Sequence, residues 1–340
     1  MNMSMIKPPA RTYNQEHVER PYTPGRRRLS IYWTWSYPWE AQRDPASMEN
    51  RFSTITEVRN VLWPAYETAQ YQSDMFLQGI AGTLELFHLS ALSFQQIVGE
   101  VTGHPVAVFQ RVDQAGYFLP IDERILDDCD TLLVFGLDHL LNGLEAVPGE
   151  IEAINEWLQR EGTCLLVAPH HDVGFTEDYE QRQVEYRHHR DALVPRQQRF
   201  SSYTRSLMKE LNIPIWNQWG LRPAVNPGTR DIAPLKMYRD DDKLGLLNNV
   251  TTFNFHPHLP HYGITETNGS PIHLLAQQPV DMERPHPFTA EGNTEFNVLL
   301  WMPPAGERAG DILLIDSTHF TTLFGGTDSL ENLWKNLATM

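Results

Sequence analysis

Three short stretches of the chain are almost wholly apolar: 131–135 (TLLVF), 163–168 (TCLLVA) and 312–315 (ILLI). Strands that lose the usual alternation of apolar and polar positions are covered on both faces, and such coverage is typical of parallel sheets. Between the first two lies a segment, 148–160, with Pro148 near its start, Glu150 and Glu152 in its early turns and Gly162 beyond its end, as helix capping and dipole chemistry prefer. The pattern therefore predicts a βαβ unit over 130–174 within a doubly wound layer. Residues 29–35 (LSIYWTW) predict an earlier strand, ended by Pro38, and 106–109 (VAVF) a short buried one. From 47 to 103 the apolar period becomes helical, with Ile55, Val58, Val61 and Leu62 on one face and Leu84, Phe87, Leu92 and Ile97 on later faces.

Further along, 176–210 is highly charged and predicts a surface helix, a break at Pro195 and a second helix ending near Leu211, together an insertion or lid. Strands follow at 213–216 and 250–255, separated by a polar loop holding Asp240, Asp241 and Asp242, which reads as a solvated turn. The last strand, 311–316, leads through a glycine turn into a closing helix from Ser329. Residues 1–28 are polar and rich in proline and arginine, so they predict a flexible arm, leaving 29–340 as one domain with helical insertions around 47–103 and 176–211.

Charge narrows the partners. A formal net charge of −16 and a pI near 5.3 disfavour nucleic acid and anionic membrane, and favour a small-molecule substrate. Cys129 and Cys164 are the two cysteines and form no CxxC pair, so neither a disulfide framework nor a cysteine zinc site has its residues. No apolar run approaches the roughly 18 residues of a membrane span, and the first residues lack a signal-peptide core, so the expected location is cytoplasmic. The 24 prolines and nine tryptophans of this acidic chain leave aromatic surface that a homo-oligomer could cover.

The succession DTLLVFGLDH, WLQREGTCLLVAPHHD and GDILLIDSTHF before a terminal helix resembles the class I glutamine amidotransferase-like superfamily, in its trehalose-utilisation (ThuA-like) and related branches. The likeness covers roughly 120–175 and 270–340 plus the first strand, and implies a flavodoxin-like, mostly parallel sheet. ThuA-like proteins often carry a histidine just after the strand matched by 165–168, where this chain has His170. Glutaminases of the superfamily place a nucleophilic cysteine on that turn; Pro169, His170 and His171 stand there instead, so the resemblance does not imply glutaminase activity. The same PHHD stretch is similar to the PHPDD motif of metal-dependent deacetylases, although Val173 replaces the second aspartate.

In open parallel sheets ligands bind beyond the carboxyl ends of the strands. There the chain places Asp138 and His139; His170, His171 and Asp172; and Asp316 and His319. A second group, FHPHLPHY, holds His256, His258 and His261 within six residues; on an extended chain His256 and His258 point the same way, as metal-binding HxH pairs do, and two prolines stiffen the loop. Trp33 and Trp35, with Tyr32, Tyr37 and Trp39, could wall a pocket or lie in the core, whereas His188 and His189, in a charged helix, read as solvated.

The leading expectation is a metal-dependent enzyme, a hydrolase or lyase of a small polar metabolite. A divalent ion, zinc or iron, would be held by His170, His256, His258 and His261. His171 or His319 would serve as acid or base, Asp172 or Asp316 as orienting carboxylate, and Trp33, Trp35, Asp138 and His139 would contact substrate. The alternatives are a non-catalytic binding protein with structural histidines, and metal-free acid–base catalysis by the same residues.

Overall fold

The computed structural model describes residues 20–35, 91–111, 118–138, 140, 143–172, 174–190, 194, 197, 199–254, 256, 258–265, 271–322 and 325–340. Most of the helical pattern expected over 47–103 lies outside these residues, as do His139, Tyr37, Trp39 and the side chain of Trp35; its described end is helix α1, Leu92–Thr102.

The expected apolar runs form parallel strands. β1 (Leu29–Trp35) lies between β2 (Ala107–Arg111) and β3 (Thr131–Leu137), and β3 continues to β4 (Cys164–Pro169) and β10 (Asp311–Leu314), every neighbour parallel. Beyond β10 the sheet turns antiparallel through β9 (Glu295–Met302), β8 (His273–Pro279) and the short β6 (Lys236–Met237), giving among the described residues eight strands in the order β2-β1-β3-β4-β10-β9-β8-β6. The fold is thus mixed α/β around a large, mostly parallel sheet.

Alternate residues of the same strands enter different layers. Ile31, Leu133, Leu166 and Leu313 pack with Phe94 and Val98 of α1 and with Leu333, Trp334 and Leu337 of the closing helix α7 (Leu330–Thr339). Tyr32, Leu132, Leu165 and Ile312 pack on the other face with α2 (Glu123–Leu126), α3 (Pro148–Leu158) and α5 (Ser202–Glu210). The second helix of the segment read as an insertion is therefore a layer helix, its Tyr203, Leu207 and Met208 buried on the sheet. Between β4 and α5 lies α4 (Tyr179–His189), and a short α6 (Pro287–Ala290) precedes β9. Among the described residues no helix is long and apolar enough to cross a membrane.

Two details depart from the sequence pattern. Residues 250–254 are irregular rather than a strand: Val250 and Phe253 are buried, but the backbone N–H groups of Thr251 and Thr252 donate to Ser329 Oγ (2.6 and 3.0 Å) instead of to a ladder. The strand beside this segment is β7 (Leu259–Ile264), which pairs antiparallel with β5 (Ile215–Leu221) as a separate two-stranded ribbon. Within the polar start, Arg20 is 2% exposed, donating to Ser30 Oγ and the Asp128 carbonyl at 2.9 Å each, and Arg28 grips Asp130 at 2.7 Å.

Candidate functional site

The carboxyl ends of β4 and β10 lie side by side, because β4 and β10 pair directly with Leu314 opposite Val167. Each chain leaves its strand with ionisable residues, so two sequence-distant clusters meet. Asp316 Oδ2 accepts the backbone N–H of His171 (3.1 Å) and lies 3.3 Å from the Nδ1 of that ring, while Oδ1 accepts the N–H of Thr318 (2.7 Å). Both side chains are wholly buried. Burial opposes ionisation of Asp316, but hydrogen bonding and the neighbouring imidazoles outweigh it and hold the carboxyl below the usual carboxylate range. Burial, and His170 beside it, bring His171 down to about 3. At neutral pH a neutral imidazole therefore faces a carboxylate, the Nδ1 proton lies on the carboxylate side, and Nε2 keeps its lone pair.

Hydrogen bonds fix the tautomers of the surrounding rings by the same logic. His170 stacks on His171 with centroids 4.2 Å apart, and its Nδ1 donates to the His171 carbonyl at 2.7 Å, leaving the lone pair on Nε2. His319 Nδ1 donates to the Asp316 carbonyl at 3.2 Å, and burial lowers this imidazole to about 4. His256 is reversed: its Nδ1 accepts the N–H of His258 at 3.1 Å, so Nε2 carries the proton. The rings of His256 and His258 lie 5.2 and 6.1 Å from His171. Sequence reasoning thus placed His170, His171, His256, His258, Asp316 and His319 in one region, and the fold joins them. His261 lies apart on β7, against Phe288 at 4.8 Å.

Other expected site residues hold the scaffold together. Asp172 forms ion pairs with Arg205 (2.8 Å) and Arg199 (3.4 Å) and accepts the N–H of Phe200 (3.0 Å). Asp138 accepts Thr34 Oγ1 (2.8 Å) and the N–H of Tyr203 (2.9 Å) at the start of α5. Trp33 is buried against Phe135, with ring centroids 4.5 Å apart. Both cysteines are buried, and burial pushes Cys129 up to about 11 and Cys164 up to about 12.

The residues missed by sequence reasoning sit on α4. Its inner face carries Arg182, Glu185, Tyr186, His188 and His189, all buried. Glu185 accepts the N–H of Phe175 (2.7 Å) and of Gly174 (3.3 Å), and burial raises it to about 8. His188 donates to the Arg284 carbonyl (3.2 Å) and accepts from the N–H of Arg222 (3.3 Å), whereas His189 meets the Gly220 carbonyl at 3.0 Å and packs on His258 at 3.9 Å. The correction has a physical cause: a charged helix face can be buried when the surface beneath it is itself polar.

Gly220 is the hinge of this packing. A Cβ there would meet the His258 carbonyl oxygen at 2.7 Å and His171 Cδ2 at 2.8 Å. Gly220→Ala is accordingly expected to cost about 1–3 kcal/mol in urea unfolding, as overpacked cores do, and to displace one of the two imidazoles.

Polar atoms without a hydrogen-bond partner among the described residues gather nearby: His319 Nε2, Ser317 Oγ and Thr318 Oγ1 on the 3₁₀ turn Ser317–Phe320, Asn254 Oδ1 beside it, and Asn217 Oδ1 and the Tyr262 hydroxyl, which stand opposite one another on the β5–β7 ribbon. No group of three or more histidine, cysteine, aspartate or glutamate side chains is arranged to hold a metal among the described residues.

Fold and site together define a mixed α/β protein with a buried histidine–carboxylate centre at its strand ends. No protein family and no curated protein matches the sequence. Among solved structures, the chain is similar to the mmIFT52 N-terminal domain (10% identity, TM-score 0.44, covering 73% of this chain and 87% of that one). It is also similar to a ThuA-like protein from Bacteroides uniformis (9% identity, TM-score 0.38, covering 95% and 94%).

Proposed function

We propose that this protein is an enzyme, a hydrolase or lyase of a small polar metabolite, in which His171, backed by Asp316, takes and returns a proton at Nε2. The observation that supports this most is the pairing itself: a buried carboxylate fixes the ring and its tautomer and favours the imidazolium that forms when Nε2 accepts a proton. The partnerless polar atoms around it support the same reading. Each buried polar atom left unsatisfied costs about 1–3 kcal/mol, and a substrate with several polar groups would relieve that cost. The parallel half, in order β2-β1-β3-β4-β10, fits a flavodoxin-like arrangement with its ligand at the strand ends, in keeping with the ThuA-like motifs and a cytoplasmic, small-molecule role.

A second reading, a divalent zinc or iron centre, is favoured by one specific feature. His170 and His171 both donate Nδ1–H to an oxygen, the orientation that metal-binding imidazoles adopt, and so offer Nε2. His256 does not fit this set, because its proton is on Nε2. The two readings separate in one experiment: elemental analysis and a screen of small esters, amides and hydroxy acids, with and without chelator, on wild type, His170→Ala and His256→Ala. Acid–base catalysis predicts turnover indifferent to chelator and no stoichiometric metal. The metal reading predicts bound metal kept in His256→Ala and lost in His170→Ala. No turnover and no metal after reconstitution would favour a non-catalytic binding protein.

A further inference from the structure

Beneath α4, beyond Gly220 from the His171–Asp316 pair, lies an aromatic box built by Phe175, Trp219, His188, His189 and His286. Its rings border one another: Trp219 and His286 are stacked at 6.3 Å, Phe175 lies 5.8 Å from Trp219 and 6.0 Å from His286, and His286 is 4.9 Å from His188 and 6.4 Å from His189. His189 and His286 are 2% and 1% exposed.

The protonation pattern of the box follows from its hydrogen bonds. His286 Nδ1 accepts the N–H of Phe288 at 3.0 Å, so its Nε2 is an N–H donor. His189 Nε2 faces the Gly220 carbonyl at 3.0 Å and must donate to it, so its Nδ1 is a bare acceptor. The indole of Trp219 is a donor by constitution. Among the described residues none of these three atoms, His286 Nε2, His189 Nδ1 and Trp219 Nε1, has a hydrogen-bond partner, whereas His188 uses both its nitrogens. The buried carboxylate nearby is already matched: Asp281 is held by Arg190 and Arg222 at 3.2 Å each.

We infer that this box is a binding subsite for a flat, uncharged group that carries both an acceptor and a donor, such as an aromatic carboxamide. The carbonyl of such a group would accept from His286 and Trp219, its N–H would donate to His189, and the adjoining Phe175 and Trp219 rings would form one apolar wall beside it. The rings and the three neutral polar atoms offer an ionised ligand no charge of their own, and it would lose its hydration, which burial makes costly. Binding here needs no chemistry at His171, so the inference stands or falls separately from the acid–base reading.

Benzamide and benzoate, alike in shape and different in charge and donors, are the probes. Histidine-labelled ¹⁵N NMR and thermal unfolding are measured with each on wild type, Trp219→Phe and His286→Asn, the last retaining a side-chain cap for Phe288 while deleting Nε2. The expected result is that benzamide moves the His189 Nδ1 resonance and, well above its Kd, raises Tm by about 2–4 °C, with binding about fivefold to tenfold weaker in each variant and benzoate without effect. Absence of any benzamide response up to its solubility, or an equal response in the variants or to benzoate, overturns the proposal. So does destabilisation of both variants with no probe response, which would show that the three atoms hold only a structural water.

Discussion

Replacing His171 with asparagine is expected to reduce turnover by about 10²–10⁴-fold while leaving the protein folded, the usual range for removing a general acid–base residue. Asparagine keeps an N–H able to reach Asp316 Oδ2, which the imidazole approaches at 3.3 Å, but offers no basic nitrogen in the place of Nε2. Asp316→Asn is expected to do more harm. The carboxylate receives the N–H of His171 at 3.1 Å and that of Thr318 at 2.7 Å in addition to the ring, and an amide can present only one acceptor atom. One buried donor then confronts another, at a cost of about 1–3 kcal/mol, and the His171 ring is pushed toward the other tautomer. A stable His171→Asn protein with unchanged kcat/KM would remove His171 from the chemistry.

The second large effect is acid sensitivity. Burial lowers His171 and His286 to about 3 and His319 to about 4. A histidine whose folded pKa lies below its unfolded value near 6.5 contributes stability that is complete above 6.5 and is lost as pH falls toward the folded pKa. At pH 5 each of the three forfeits about 2 kcal/mol, about 6 kcal/mol together, which is a large part of the roughly 5–15 kcal/mol that holds a typical domain folded. Glu185 acts in the opposite direction: raised to about 8 by burial, it binds its proton more tightly in the folded state and weakens the fold as pH rises from about 4.5 through 8. Urea midpoints measured across pH 4 to 9 are therefore expected to peak near neutrality and fall steeply below pH 6. His319→Gln should make the acid limb shallower by about 1.4 kcal/mol per pH unit. A flat profile between pH 7 and 5 would mean that these rings are not held neutral.

What the chain revealed of itself depended on whether one physical cause governed a segment. Residues 131–135, 163–168 and 312–315 were legible as central strands because coverage on both faces removes every polar position. Residues 250–255 carry the same β-branched and aromatic residues, yet the amide protons of Thr251 and Thr252 go to Ser329 Oγ and that of Val250 to the Leu247 carbonyl rather than to a strand ladder. The antiparallel extension was read less well: β8 mixes apolar and polar positions without a strand period, whereas β9 ends in the buried apolar run 298–302, a strand signal that went unread. In the site, His170, His171, Asp316 and His319 were found by their positions after strands. Asp172 and Asp138 satisfied the same rule, but the fold spends their oxygens on Arg205 and on the start of α5. His188, His189 and His286 were hidden because a charged helix and a proline-rich loop ordinarily face water, and only the three-dimensional packing reveals the polar surface they cover.

The central claim, a neutral His171 oriented by an ionised Asp316, is tested most directly by the ¹⁵N resonances of His171 in histidine-labelled protein followed against pH. The account predicts one tautomer, protonated at Nδ1 and bare at Nε2, unchanged from pH 8 to about 4 and lost in Asp316→Asn. A proton on Nε2, or titration near 6.5 as for an exposed imidazole, would contradict it.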